Sequence, residues 1–170
     1  MKKNLIVLAL FLLLISGCGT NAVTSNYSTS ESKTREQQTY HINEDIYVKK
    51  NSGEEYRLKI NSINETYERN EFSDTRADRV VVIDYEYENI SLSDDLFISS
   101  WDFQAYDQDN NALETYEVID YKYPDNISMG RKTTAQLVFA LNNTNNYIEL
   151  EYYDNVFWDS QSVCKIVLEW

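Results

Sequence analysis

The run Val80-Val81-Val82-Ile83-Asp84-Tyr85-Glu86-Tyr87-Glu88-Asn89 decides the fold class. Val81, Ile83, Tyr85 and Tyr87 fall on one face, and Asp84, Glu86 and Glu88 on the other with Val80 and Val82. A period of two with β-branched and aromatic residues predicts a half-buried strand, because successive side chains of a strand point to opposite faces. The same period recurs on both sides of this run. Tyr56, Leu58 and Ile60 alternate with Arg57, Lys59 and Asn61. Trp101, Phe103 and Ala105 alternate with Asp102, Gln104 and Tyr106. Ala135, Leu137, Phe139 and Leu141 form another such face, as do Ile148, Leu150 and Tyr152. The last places Cys164, Ile166, Leu168 and Trp170 together, so Cys164 reads as a small buried hydrophobe.

Turn-forming residues separate these runs: Asn51-Ser52-Gly53, Asp107 to Asn111, Pro124-Asp125-Asn126, Met129-Gly130 and Asn142 to Asn146. No stretch longer than about two turns carries a helical period. Seven or eight short strands predict an all-β antiparallel sandwich, with a small closed barrel as the alternative. The charged segment from Glu65 to Arg79 is expected to be a loop.

The N-terminus is of a different kind. Lys2 and Lys3 precede the twelve residues from Asn4 to Ile15, all apolar after Asn4, followed by Ser16-Gly17-Cys18. Twelve residues of helix reach only about 18 Å, too short for a hydrocarbon core of about 30 Å. The run is therefore a signal h-region. Ile15-Ser16-Gly17-Cys18 resembles the lipobox of bacterial lipoproteins. That resemblance implies cleavage between Gly17 and Cys18 and a diacylglyceryl thioether on Cys18, which anchors the chain in the lipid bilayer. Two acyl chains give stable anchoring where one is marginal. Gly19, rather than Asp, follows the Cys, and the chain is rich in Asn, Lys, Ile and Tyr. The expected location is the outer face of a Gram-positive cell membrane. Residues 18–39 are mostly Ser, Thr, Asn and Gln and read as a flexible tether, spanning roughly 25 Å root-mean-square. The expected domains are thus 1–17 leader, 18–39 tether and 40–170 sandwich.

The strand motifs carry a second resemblance. Val80 to Asn89 is similar to the strand ending in Asn of a Gram-positive lipoprotein family with an immunoglobulin-like domain of unknown function, related to mycobacterial immunoprotective extracellular antigens. Trp101 to Asn110 resembles its strand and polar hairpin. Ile127-Ser128-Met129-Gly130 stands where that family has Pro-Gly, and Thr133 to Leu141 resembles the strand that follows, with Phe139 at an aromatic position. Met129 replaces the Pro, and Asn110-Asn111 replaces the hairpin Gly. The resemblance implies an immunoglobulin-like sandwich from about Asp45 to Trp170, with no catalytic residues to carry over.

Composition narrows the chemistry. Among 170 residues, 28 acidic and 15 basic side chains give a net charge of −13. Loss of Lys2 and Lys3 with the leader takes this to −15. Such a chain is a poor partner for nucleic acid. A single His, His41, and two Cys cannot build a Cys/His zinc site or a disulfide framework. His41 also lies at the edge of the tether, where a surface or pairing role is expected rather than that of a catalytic base. Phosphate-binding glycine loops are missing from the sequence. No cofactor is expected, and the domain reads as non-catalytic.

Two sets of binding candidates remain. Asp107, Asp109 and Asn111 match the first three ligand positions of a calcium loop, but Ala112 and Val118 stand where Gly and Glu are needed. A hairpin tip rich in Asp and Asn explains them equally. Tyr121, Tyr123, Phe157 and Trp158 place large rings in loops, as a partner-binding patch or as caps on the sandwich ends. The expected function is a membrane-anchored module that binds a protein or cell-envelope component. A calcium- or small-ligand-binding envelope protein is one alternative. A carboxylate-based wall hydrolase is another, and it requires two acids converging on a cleft.

Overall fold

The structure is a computed structural model of the chain, and it describes residues 37–118, 120–154 and 161–170. Eight strands form two four-stranded sheets. In chain order they are β1 (Thr39–His41), β2 (Asp45–Lys49), β3 (Glu55–Thr66), β4 (Arg79–Asn89), β5 (Phe103–Tyr106), β6 (Arg131–Leu141), β7 (Tyr147–Tyr152) and β8 (Cys164–Glu169). One sheet runs β2-β3-β4-β6 and the other β1-β8-β7-β5. This is the expected all-β immunoglobulin-like sandwich. One pairing departs from the antiparallel rule: β1 lies parallel to β8, with Thr39 opposite Lys165 and His41 opposite Val167. Backbone pairing already begins at Gln38, whose carbonyl accepts from the Lys165 amide.

Alternation makes the core. Ile46, Tyr56, Leu58, Ile60, Ile83, Tyr85 and Tyr87 from one sheet meet Phe103, Ile148, Leu150, Tyr152, Ile166 and Leu168 from the other. Cys164 belongs to this core, and burial pushes its thiol up to about 12, so it acts as a hydrophobe. A register shift between Ile60 and Ser62 in β3 resets the alternation. It turns Ile63 inward and leaves Ser62 free to donate to Asp84. The strand thus runs on through Glu65 and Thr66, which the sequence had placed in a loop.

Two features of the outer surface differ from simple alternation. Val80, Val138 and Ala140 point away from the main core yet are buried, because Tyr116 packs over them in a second apolar cluster. Backbone bonds to β6 hold this cover in place: the Tyr116 amide donates to the Val138 carbonyl, Ala140 to Glu114 and Gln136 to Lys122. Trp101 is the other departure. It was expected to share the inward face of Phe103 and Ala105, but it is 73% exposed. A 3₁₀ turn, Ser100–Asp102, precedes β5, and a capping box between Ser99 and Asp102 fixes it. The strand period starts only at Phe103.

Asn89, fully buried at the end of β4, explains why this strand ends in Asn. Its amide nitrogen donates to the carbonyls of Asp94 (3.0 Å) and Ile127 (3.3 Å), and its side-chain oxygen accepts from the Leu92 amide (2.8 Å). Its own carbonyl accepts from Gly130. One side chain thereby ties two loops to the sheet. Gly130 has φ +73°, the left-handed region where glycine carries no steric cost.

Candidate functional site

The segment that covers β6 also builds a cavity of about 480 Å³ beside it. Its aromatic lining comes from three places in the chain: Trp101 of the 3₁₀ turn, Tyr116, and Tyr121 with Tyr123. Asn70, Ser100, Thr115 and Glu117 add polar groups. A cavity of this size falls in the range of small-molecule sites. The rings of Tyr121 and Tyr123 meet edge to face, with centroids 4.6 Å apart and planes at 86°. This contact holds both rings in place without a ligand. Burial, and then the neighbouring Tyr123, raises the Tyr121 phenol above its ordinary range, so it stays a neutral hydroxyl at physiological pH. Tyr116 is anchored from both ends, by its backbone amide on Val138 and by its hydroxyl, which accepts from the Asn70 amide at 3.0 Å. Trp101 and Tyr123 are both 73% exposed, an unusual state for such large rings.

Sequence reading had selected Tyr121 and Tyr123, and the fold brings them together. Trp101 and Tyr116 were missed as site residues. The Ser99-x-x-Asp102 capping signature was the available signal that Trp101 sits on a turn rather than in the strand. Phe157 and Trp158 lie outside the described residues, as do Gly17 and Cys18.

The acidic hairpin has a different construction. Asp107 is 7% exposed. Its carboxylate accepts from the Asp109 amide (2.9 Å), the Asn111 amide (2.8 Å), the Asn111 side chain (3.1 Å) and the Asn143 side chain (3.0 Å). Burial alone would raise this carboxyl. The hydrogen bonds from Asn111, Asp109 and Asn143 together outweigh it and hold the carboxyl below the ordinary aspartate range. Asn110 takes φ +62°, the left-handed role that the resemblance assigned to a hairpin Gly. Asp109 approaches Asp107 through its backbone, and the Asn111 side chain presents its nitrogen. No group of three or more His, Cys, Asp or Glu that could hold a metal occurs among the described residues.

A second cleft, of about 550 Å³, contains Asp102 and Asp154 with Lys50 and Tyr152 in its lining. Burial raises the Asp102 carboxyl, and the Ser99 hydrogen bonds only partly offset this. Both acids already serve the fold. Asp102 accepts from the Ser99 amide at 2.8 Å, and Asp154 accepts from the Tyr56 hydroxyl at 2.5 Å and pairs with Lys50.

Comparison with solved structures places this sandwich among known ones. The secreted protein MPT63 of Mycobacterium tuberculosis matches with a TM-score of 0.59 at 11% identity, over 78% of this chain and 97% of that one. The yjhA protein of Bacillus subtilis matches with a TM-score of 0.54 at 14% identity, over 76% of this chain and 98% of its own. A candidate lipoprotein of Bacillus subtilis, ycdA, matches with a TM-score of 0.53 at 16% identity, over 68% of this chain and 36% of that one. At these identities the likeness is one of fold. No curated protein matches the sequence. The family model described as domain of unknown function DUF5067 matches residues 23–154, most of the chain, and the protein belongs to that family.

Proposed function

We propose that this protein is a lipid-anchored, extracytoplasmic and non-catalytic binding module whose recognition surface is the groove formed by Trp101, Tyr116, Tyr121 and Tyr123. The observation that carries the reading is the pair of rings, Trp101 and Tyr123, left 73% exposed on opposite sequence segments of one cavity. Exposed aromatic surface is costly to keep in water and is enriched where partners bind. The lipobox and Ser/Thr-rich tether supply the placement: Cys18 in the outer leaflet of a Gram-positive membrane, with the sandwich held off it. MPT63, described as secreted, and ycdA, described as a lipoprotein candidate, have this fold and agree with an extracytoplasmic setting. Asp102 and Asp154 do share a cleft, as a carboxylate-based hydrolase needs, and their hydrogen bonds from Ser99 and Tyr56 are what favours the non-catalytic reading.

The reading requires that the groove rings be dispensable for folding. Trp101→Ala should change stability by less than about 0.5 kcal/mol, as exposed substitutions do, and Tyr123→Ala by no more than about 1.5 kcal/mol, the worth of its edge-to-face contact with Tyr121. Phe103→Ala, a core control, should cost about 3–5 kcal/mol. Chemical denaturation of the three variants checks this. Large losses at Trp101 and Tyr123 would make the rings structural caps and remove the proposal.

A further inference from the structure

The groove has a chemical bias beyond being aromatic. Four of the ten described residues that line it are Trp or Tyr, and one, Glu117, is a carboxylate. None of the ten is Lys, Arg or His. The whole chain is acidic as well, at −13. An aromatic ring carries negative potential on its face, so a cation is attracted to it, and a desolvated site strengthens the attraction. An anionic group would meet no positive partner here. A neutral sugar stacks best on coplanar ring faces, whereas Tyr121 and Tyr123 stand at 86° to each other. A compact cation has no preferred face and can use rings at right angles. The edge-to-face contact sets these planes in advance, which lowers the ordering cost of binding.

Resting on the reading of this groove as the recognition surface, we infer that its ligand is a small organic ammonium compound, held by the faces of Trp101 and the tyrosines and by the Glu117 carboxylate. The cavity of about 480 Å³ holds such a molecule whole. The negative field of the acidic domain would raise the local concentration of a cation at its mouth.

Choline and its uncharged carbon isostere, 3,3-dimethylbutan-1-ol, differ in charge and hardly in shape. Both are titrated into the ¹⁵N-labelled mature lipidated chain in dodecyl maltoside micelles, and amide shifts are followed. Choline should give saturable shifts at Ser100, Trp101 and Tyr116 to Val118. Its affinity should exceed that of the isostere by about two- to fivefold, the scale of a cation–π contact at solvent-exposed rings. Trp101→Ala should abolish saturation, and Glu117→Gln should weaken choline several-fold while leaving the isostere unchanged. Equal affinities, or no saturable response to choline, would overturn the inference. Chitotriose and a lysine-rich peptide serve as further probes. If either saturates the same amides and choline does not, the ammonium class is wrong and the groove stands. If none of the probes binds and a photo-crosslinker at Tyr123 captures nothing in cells, the groove itself is wrong.

Discussion

Asp107 and Asn89 show how single polar side chains organise the ends of this sandwich. The Asp107 carboxylate takes four amide donors, and each would lose its partner on truncation. Asp107→Asn places an amide nitrogen against other nitrogens and should cost about 1–3 kcal/mol at pH 7, the range for an unsatisfied buried group. The pH dependence has a definite sign. The folded-state carboxyl titrates below its unfolded value, so its contribution is complete above the ordinary aspartate pKa of about 3.9 and is lost as pH falls through the lower folded value. Denaturation measured from pH 6 to pH 2 should therefore show a steeper acid decline in the parent than in Asp107→Asn. Parallel curves would show that Asp107 does not titrate as described. Millimolar calcium should leave the melting temperature of the parent unchanged, because the carboxylate is already occupied by protein donors. At this scale the residue types were legible in the sequence, but their partners were not. Asp107 and Asn111 are four residues apart, while Asn143 reaches the same carboxylate from a turn 36 residues away.

At the scale of elements, the two sheets are joined by a polar link between buried tyrosines. Tyr56 on β3 and Tyr152 on β7 share a hydroxyl contact of 2.7 Å, and the Tyr56 hydroxyl donates a hydrogen bond to the Asp154 carboxylate. Burial, reinforced by the neighbouring hydroxyl and Asp154, raises the Tyr56 phenol far above its ordinary value, so both hydroxyls are neutral donors. Tyr56→Phe and Tyr152→Phe should each cost about 1–2 kcal/mol. Because the two groups share a bond, the double variant should lose less than the sum, by at least about 0.5 kcal/mol. Urea denaturation of the four proteins tests this, and strict additivity would argue that the contact is weak. Alternation identified the main strands because each has one face on a common core, as with Ile83, Tyr85 and Tyr87. It failed where a third layer intervened. Val80 and Val138 look like outward positions, and only the return of Tyr116 over them, from outside either strand, buries them. It failed again at Trp101, where the capping box delays the strand by two residues.

At the scale of the whole molecule, the proposed anchor at Cys18 and the tether after it would present a domain that the structure describes from residue 37 onward. The fold brings two of its exposed rings, Trp101 and Tyr123, together in one groove beside β6, while Tyr67 and Phe72 are exposed elsewhere. Half of that site was legible, since Tyr121 and Tyr123 sit close together around a proline-marked turn. Trp101 and Tyr116 were not, because Tyr116 reaches the site through backbone bonds to β6 and Trp101 through the capped turn before β5. Among the described residues, no helix is long and apolar enough to cross a membrane, so the proposed attachment rests on Cys18. The account places the working surface at the groove and not on the broad sheet faces. Tyr47 on β2, 56% exposed, is a fair comparison, being an accessible tyrosine on a different surface. The most direct test replaces each of Tyr123 and Tyr47 by a photo-crosslinking residue in the lipidated protein and irradiates intact cells. The account predicts a discrete adduct from position 123 that disappears when Trp101→Ala is added, and none from position 47. Adducts that form equally at both positions, or only at 47, would contradict it.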